Sequence, residues 1–177
     1  LPSVPAIIIS PNSILTGFRG SVAHGTYVPK EHELSTDDVD LMQVVIPGLD
    51  CYFGLRQFGS RGTAEIWIDH FDIVSYEIKK FFTLLLKGNP NVLTFLWLEP
   101  EYYLKRSAVG KILIQNRELF VGKHVARAFL GYAYGQIERM TAFTKQGYMG
   151  EKRKALVEKF SFDTKNGGHA IRLLRMG

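Results

Sequence analysis

The hydrophobic pattern of this 177-residue chain changes once along its length, and that change limits the folds available to it. Short apolar runs bounded by turn residues predict strands at residues 14–18, 38–46, 64–68 and 71–76. The last two form a predicted hairpin through Asp69 and His70. From Glu77 onward, apolar residues recur at helical spacing and predict helices at residues 78–86, 92–97, 107–116, 121–144, 151–160 and 163–176. The sequence therefore predicts an α/β (α+β) fold, with a small mixed sheet followed by a C-terminal helical region.

The boundary between the two predicted parts lies near residues 88–101, marked by the helix stop Gly88-Asn89-Pro90 and by Glu99-Pro100. We predict one domain over residues 1–98 and a helical domain over residues 99–177. In the last helix Ile171, Leu173 and Leu174 are expected to face inward. The chain begins at Leu1 and ends in a predicted helix, so we expect native sequence beyond residue 177.

Composition excludes several classes of protein. The single cysteine, Cys51, excludes an intrachain disulfide framework and a cysteine-rich zinc module. No apolar run approaches the roughly 20 residues of a membrane span, and no secretion signal is visible at the N-terminus. We therefore expect a cytoplasmic protein with no membrane partner. The net charge of +5 permits an anionic partner such as a nucleotide or RNA.

Two aspartates stand at the start of the strand predicted at residues 38–46. Asp38 and Asp40 are two residues apart, so their side chains share one face of a strand. Adjacent carboxylates repel, and a hard cation such as Mg²⁺ removes that cost. An edge strand whose aspartates face water is the alternative. Gly20-Ser21 favours a nucleotide site, because glycine and a helix start allow close approach to phosphate.

Residues 17–46, GFRGSVAHGTYVPKEHELSTDDVDLMQVVI, resemble the signature of the DNA polymerase beta-like nucleotidyltransferase superfamily. The matching positions are Gly20, Ser21, Ala23, Gly25, Asp38, Val39, Asp40 and Leu41. The segments LLLKGNPNVLTFLWLEPEYYL, YMGEKRK and FDTKNGGHAIRLLRMG resemble a bacterial and phage group of predicted nucleotidyltransferases, so the resemblance covers nearly the whole chain. Between Ser21 and Asp38 lie 16 residues, more than is usual, which predicts a longer loop at residues 27–37 over the active site.

The resemblance implies transfer of NMP from an NTP, such as ATP, to an acceptor hydroxyl with release of pyrophosphate. It implies a two-metal mechanism in which Mg²⁺, or Mn²⁺, is held by Asp38, Asp40 and a third carboxylate. It also implies that these three carboxylates are the catalytic residues. We predict Asp72 as the third, with Asp69 and Glu77 as alternatives. The predicted nucleotide-binding residues are Gly20, Ser21, His24, Lys152, Arg153, Lys165, His169 and Arg172.

Several alternatives stay open at this point. The acceptor is an RNA end, a protein side chain or a small molecule. A non-catalytic nucleotide- or nucleic-acid-binding module is the second function, and a helical protein that binds an anionic partner through its basic face is the third. The basic candidates are alternatively solvated surface residues. Tyr132 and Tyr134 are candidates for stacking on a base, but core packing is the preferred expectation.

Overall fold

The computed structural model describes residues 1–29, 38–142 and 150–177 of the chain. These residues divide into two compact units. The first unit contains residues 1–86 and 91–120, and the second contains residues 87–90 and 121–177. Residues 91–120, which include the predicted boundary after residue 98, thus belong with the first unit. The predicted combination of a small mixed sheet and C-terminal helices is confirmed.

The first unit is built on one mixed sheet. Its described strands are β1 (Ser13–Phe18), β2 (Val39–Val45), β3 (Thr63–Ile68), β4 (Phe71–Glu77) and β5 (Tyr103–Arg106). Their order is β3-β4-β2-β1-β5, and β2 and β4 run parallel while the other neighbours are antiparallel. The predicted hairpin is confirmed, and Asp69 makes its turn with a φ of 54°.

Strand β5 corrects the expectation that only helices follow residue 90. It has four residues, two of which are Lys105 and Arg106, so it lacks an apolar pattern of its own. It pairs antiparallel with β1, all of whose residues are buried. The Lys105 ammonium donates to the backbone carbonyls of Ser10 and Pro11 at 3.2 and 2.8 Å. The strand conformation of β5 therefore depends on its pairing with β1, a distant part of the chain.

Short helices and 3-10 turns lie before, between and after the strands along the chain. The helices are α1 (Gly20–Ala23), α2 (Asp50–Phe53), α3 (Ile78–Leu86), α4 (Pro90–Leu93) and α5 (Ala108–Gln115), with 3-10 turns at Ala6–Ile8, Thr94–Trp97, Pro100–Tyr102 and Arg117–Phe120. Helix α3 packs against β2 and β4 and buries Phe81 and Leu85. The helix predicted at residues 92–97 is instead part of α4 followed by a 3-10 turn.

A buried apolar cluster covers one face of the sheet. Its members are Ile8, Phe18, Val22, Val39, Leu41, Phe71 and Ile73. Successive side chains of a strand point to opposite faces. Because Val39 and Leu41 face this cluster, Asp40 between them points to the other face. The same alternation in β4 directs Asp72 away from the cluster, so burial of the apolar residues fixes the direction of both aspartates.

The second unit is helical. Its described helices include α6 (Lys123–Ala142), α7 (Glu151–Phe160) and α8 (Thr164–Met176), and α6 packs along α8. Helix α8 buries Ala170 and Leu173, whereas Ile171 and Leu174 are exposed, so the inward placement of those two residues was wrong. Core packing was also wrong for two tyrosines of α6, Tyr132 and Tyr134, which are both exposed.

Across residues 1–29, 38–142 and 150–177, none of the helices has both the length and the apolar character needed to cross a membrane.

Candidate active site

Two acidic side chains lie next to each other where β2 and β4 begin. Asp40 and Asp72 are the second residues of these parallel strands, and they are direct partners in the sheet register. Neighbouring strands are about 4.8 Å apart, so partnered side chains on one face are in close reach. The side chain of Asp40 is 29% exposed and that of Asp72 is 20% exposed. The register therefore produces a carboxylate pair that is open to solvent.

A guanidinium group lies against this carboxylate pair. Nη2 of Arg19 is 2.7 Å from Oδ2 of Asp72 and 3.5 Å from Oδ1 of Asp40. The backbone N–H of Arg19 donates to the carbonyl of Asp40 at 2.9 Å, just past the end of β1. The sequence analysis missed Arg19. Its sequence signal is its position, since it stands between the predicted strand at residues 14–18 and the Gly20-Ser21 turn.

The Gly20-Ser21 turn closes over the same aspartate. Gly20 has a φ of 61°, a left-handed conformation that favours glycine. A Cβ at this position would lie 1.9 Å from Oδ2 of Asp40, so a side chain here would collide with the carboxylate. Ser21 follows in α1, and its carbonyl accepts a hydrogen bond from the N–H of Thr26 at 2.9 Å. His24 lies at the end of α1 and is half-buried.

Asp38, which is predicted to bind metal together with Asp40, lies one residue before β2 and is exposed. Among the described residues, no three His, Cys, Asp or Glu side chains form a group that could hold a metal ion. Asp40 and Asp72 nevertheless fit a hard divalent cation, because they offer carboxylate oxygens from neighbouring strands on one open face. Asp38 as a metal ligand stays a prediction, and residues 30–37 of the predicted active-site loop lie outside the described residues.

The two alternatives to Asp72 occupy other places. Asp69 is in the exposed turn between β3 and β4, where its carboxylate contacts Nδ1 of His70 at 2.7 Å. Glu77 is at the far end of β4, where it accepts hydrogen bonds from the backbone N–H groups of Lys79 and Lys80 and from the hydroxyl of Tyr52. Burial and this bond to Glu77 raise the pKa of Tyr52 to about 12. Glu77 thus has a structural role in starting α3, and only Asp72 of the three is beside Asp40.

The basic candidates belong to the second unit, where Arg153 pairs with a buried carboxylate. Its Nε and Nη2 donate to Oδ1 and Oδ2 of Asp163 at 3.1 and 2.5 Å. Asp163 also caps α8 by accepting from the backbone N–H groups of Lys165 and Asn166 at 3.1 and 3.4 Å. Burial acts to raise the pKa of Asp163, but Arg153 and the capping N–H groups outweigh it and lower that pKa. This pair joins α7 to the start of α8.

His169 and Arg172 share one face of α8 and are both half-buried. Burial lowers the pKa of His169 to about 4, with the positive charges of Arg172, Lys165 and Arg153 adding to the effect. Burial also lowers the pKa of Arg172. The side chain of Lys152 lies outside the described residues. The assignment of these second-unit residues to nucleotide binding stays a prediction.

Comparisons with known proteins cover most of this chain. The model of the RNA repair pathway DNA polymerase beta family matches residues 14–175. An uncharacterized 38.9 kDa protein from the nrdC–mobD intergenic region of Enterobacteria phage T4 is 27% identical over 152 residues. That alignment covers 81% of this chain and 41% of the phage protein, so the chain spans less than half the length of that relative. No solved structure shows significant similarity to the chain.

The family match runs from β1 into α8 and contains the Gly20-Ser21 turn and the Asp40–Asp72 pair. The chain is therefore a member of the RNA repair pathway DNA polymerase beta family, a family of polymerase beta-like nucleotidyltransferases.

Proposed function

We propose that this chain carries a metal-dependent nucleotidyltransferase site that moves NMP from an NTP to a hydroxyl at the end of an RNA strand. The observation that carries the proposal is the Asp40–Asp72 pair next to the Gly20-Ser21 turn. The description of the family as one of RNA repair supports RNA as the acceptor class. The net charge of +5 is compatible with an anionic acceptor.

In the proposed reaction, the acceptor oxygen forms a bond to the α-phosphorus while the bond from that phosphorus to the bridging β-phosphate oxygen breaks. Pyrophosphate leaves, and the proton of the acceptor hydroxyl passes to a base. A bound Mg²⁺ or Mn²⁺ would supply charge neutralisation at the phosphate oxygens. The protein contributes mainly position and charge, because phosphoryl transfer of this kind needs little covalent chemistry from side chains.

Each residue then has a distinct role. Asp40 and Asp72 would hold the metal, with Asp38 as the third ligand. Asp72 is the base proposed for the acceptor proton, because it stands farther from the Gly20-Ser21 turn than Asp40 does in the sheet order. The Ser21 hydroxyl and the backbone of the turn would bind the β- and γ-phosphates. The reactants would therefore lie on opposite sides of the carboxylate pair.

An exposed aromatic side chain supports the acceptor side of this arrangement. Trp67 of β3 is the register partner of Asp72, so Trp67, Asp72 and Asp40 form one row on the same face of the sheet. Trp67 is 61% exposed. Exposed aromatic rings bind single-stranded nucleic acid by stacking on bases. We assign Trp67 to the terminal base of the acceptor strand.

The test uses the full chain, Mg²⁺, each α-labelled NTP in turn and RNA strands with a free terminal hydroxyl. We expect one or more NTPs to label the RNA. Asp40→Asn and Asp72→Asn should each lower the rate by about a hundredfold or more, because the metal loses a charged ligand. Asp69→Asn is the matched control, since it removes a carboxylate from the turn next to Asp72 and should keep near-normal activity.

A non-catalytic nucleotide- or RNA-binding module is the second candidate function. The observation that favours it is the ion pair of Arg19 with Asp72. In this pair a guanidinium contacts the carboxylate that a metal ion would need. This module would bind NTP or RNA without transferring label. Label transfer that survives in both the Asp40→Asn and Asp72→Asn variants would contradict the metal-dependent mechanism.

A further inference from the structure

We propose that Arg19 is the resting counter-cation of the site: it holds Asp40 and Asp72 side by side as carboxylates, and a divalent cation binds by displacing it. The displacement step rests on the proposed function, because the divalent cation is the one proposed there. The counter-cation role concerns the protein alone. Arg19 is thus a positioning residue that acts through the two aspartates.

The need for a counter-cation follows from the sheet register. Pairing of β2 with β4 places two carboxylates next to each other on neighbouring strands. Like charges that directly face each other across strands are destabilising. Nη2 of Arg19 reaches both, at 2.7 Å from Asp72 and 3.5 Å from Asp40. One guanidinium therefore offsets the repulsion that the register creates.

The backbone holds Arg19 at this place. Its N–H donates to the carbonyl of Asp40, and the next residue is Gly20, where an added Cβ would collide with the Asp40 carboxylate. The backbone of Arg19 is therefore fixed beside Asp40 at the end of β1, within reach of both carboxylates for its side chain.

The guanidinium is nevertheless held loosely. It contacts Asp72 through a single nitrogen, Nη2, and the second contact of that nitrogen, to Asp40, is 3.5 Å long. A two-pronged pair of guanidinium and carboxylate is stronger. Within the described residues, the buried Nε of Arg19 has no hydrogen-bond partner, which costs free energy in the resting state. The side chains of the three residues are between 20% and 29% exposed, so a cation from solvent can reach the pair.

The first experiment measures Mn²⁺ binding to the full chain at neutral pH, by the loss of the electron paramagnetic resonance signal of free Mn²⁺. Variants are Arg19→Gln, Arg19→Lys and the control Arg56→Gln, which breaks an exposed ion pair of the same 2.7 Å length with Asp50. We expect Arg19→Gln to bind Mn²⁺ about twofold to fivefold more tightly, the gain from losing a competing, partly exposed ion pair. Arg19→Lys should stay close to the parent, and Arg56→Gln should equal it.

The second experiment omits metal and measures stability by urea unfolding in the presence of a chelator. The variants Arg19→Gln, Asp72→Asn and the double variant form a cycle that isolates the coupling between the two residues. We expect Arg19→Gln to lower the unfolding midpoint in the parent but to have a smaller effect in the Asp72→Asn background. Adding Mn²⁺ should restore the midpoint of Arg19→Gln.

The outcomes separate this inference from the proposed function. Additive effects in the cycle would overturn the counter-cation role whatever the catalytic result. Weaker or unchanged Mn²⁺ binding by Arg19→Gln would overturn displacement. It would mean that Arg19 either increases the affinity for Mn²⁺ or has no effect on it. If neither the parent nor Arg19→Gln binds Mn²⁺, displacement and the metal of the proposed function both fail. The coupling measured in the cycle still decides whether Arg19 is the counter-cation of the two aspartates.

Discussion

At the scale of single residues, the alternation of β3 decides which side chains reach the site. Trp67 points to the face that carries Asp72 and Asp40, whereas Ile66, one residue earlier, is partnered with Ile73 of the opposite, buried face. Both β3 side chains are at least half exposed, at 61% for Trp67 and 50% for Ile66. The two residues therefore differ in direction more than in exposure, and they form a matched pair for testing the acceptor side.

We predict that Trp67→Ala weakens RNA binding about tenfold, because loss of one stacked base is worth roughly 1–3 kcal/mol. The KM for RNA should rise while the KM for NTP stays the same. Trp67→Phe should retain most of the affinity, and Ile66→Ala should bind RNA like the parent protein. The measurement is fluorescence anisotropy of a labelled RNA strand together with steady-state kinetics. Equal losses in Trp67→Ala and Ile66→Ala would indicate damage to β3 and contradict stacking.

Residue-scale chemistry was only partly visible in the sequence. The period of two placed Asp40 and Asp72 on defined faces of their strands, and the family resemblance suggested Asp72 as a third carboxylate. Their pairing side by side depends on the parallel register of β2 with β4, which the structure supplies. Arg19 was not predictable, because its ion pair with Asp72 joins residues 53 positions apart. Whether an arginine at the end of a strand faces solvent or a neighbour depends on the strand order, which the pattern does not contain.

At the scale of elements, Asp163 shows how one side chain joins two helices. It is fully buried, caps the start of α8, and pairs with Arg153 of α7. We predict that Asp163→Asn lowers the free energy of unfolding by about 2–3 kcal/mol, because Arg153 loses its partner while the amide oxygen still caps α8. Urea unfolding followed by circular dichroism measures this. Glu158→Gln, an exposed change on α7, should be within about 0.5 kcal/mol of the parent.

The same scale explains where prediction of elements succeeded and failed. Helix α7 and the β3–β4 hairpin were predicted because their signals are local: helical spacing in one case and a turn between two alternating runs in the other. Strand β5 was missed because its conformation depends on β1. In α8 the buried face contains Ala170 and Leu173, and the choice of Ile171 and Leu174 failed because hydrophobic residues cover more than one side of that helix.

At the scale of the whole molecule, the free energy of unfolding depends on pH through groups whose pKa changes on folding. His169 is half-buried on α8 and faces the charges of Arg172, Lys165, Arg153 and Asp163. Its pKa falls from an ordinary 6.5 to about 4 on folding, chiefly through burial, so the folded chain keeps this ring neutral. Between these two pH values the unfolded chain binds a proton that the folded chain does not. Acid therefore favours unfolding in this window.

We predict that the free energy of unfolding falls as pH drops from about 6.5 and that this contribution levels off below about 4. Its size is on the order of 1–2 kcal/mol, after a reduction for the exposed part of the ring. His169→Gln should flatten this part of the profile, whereas His124→Gln, at an exposed position on α6, should keep it. Urea unfolding at several pH values measures the slope. Because Asp163 has a lowered pKa, the stability it provides is lost only at still lower pH, so an unchanged slope in His169→Gln between about 6.5 and 4 would assign the acid sensitivity to other groups.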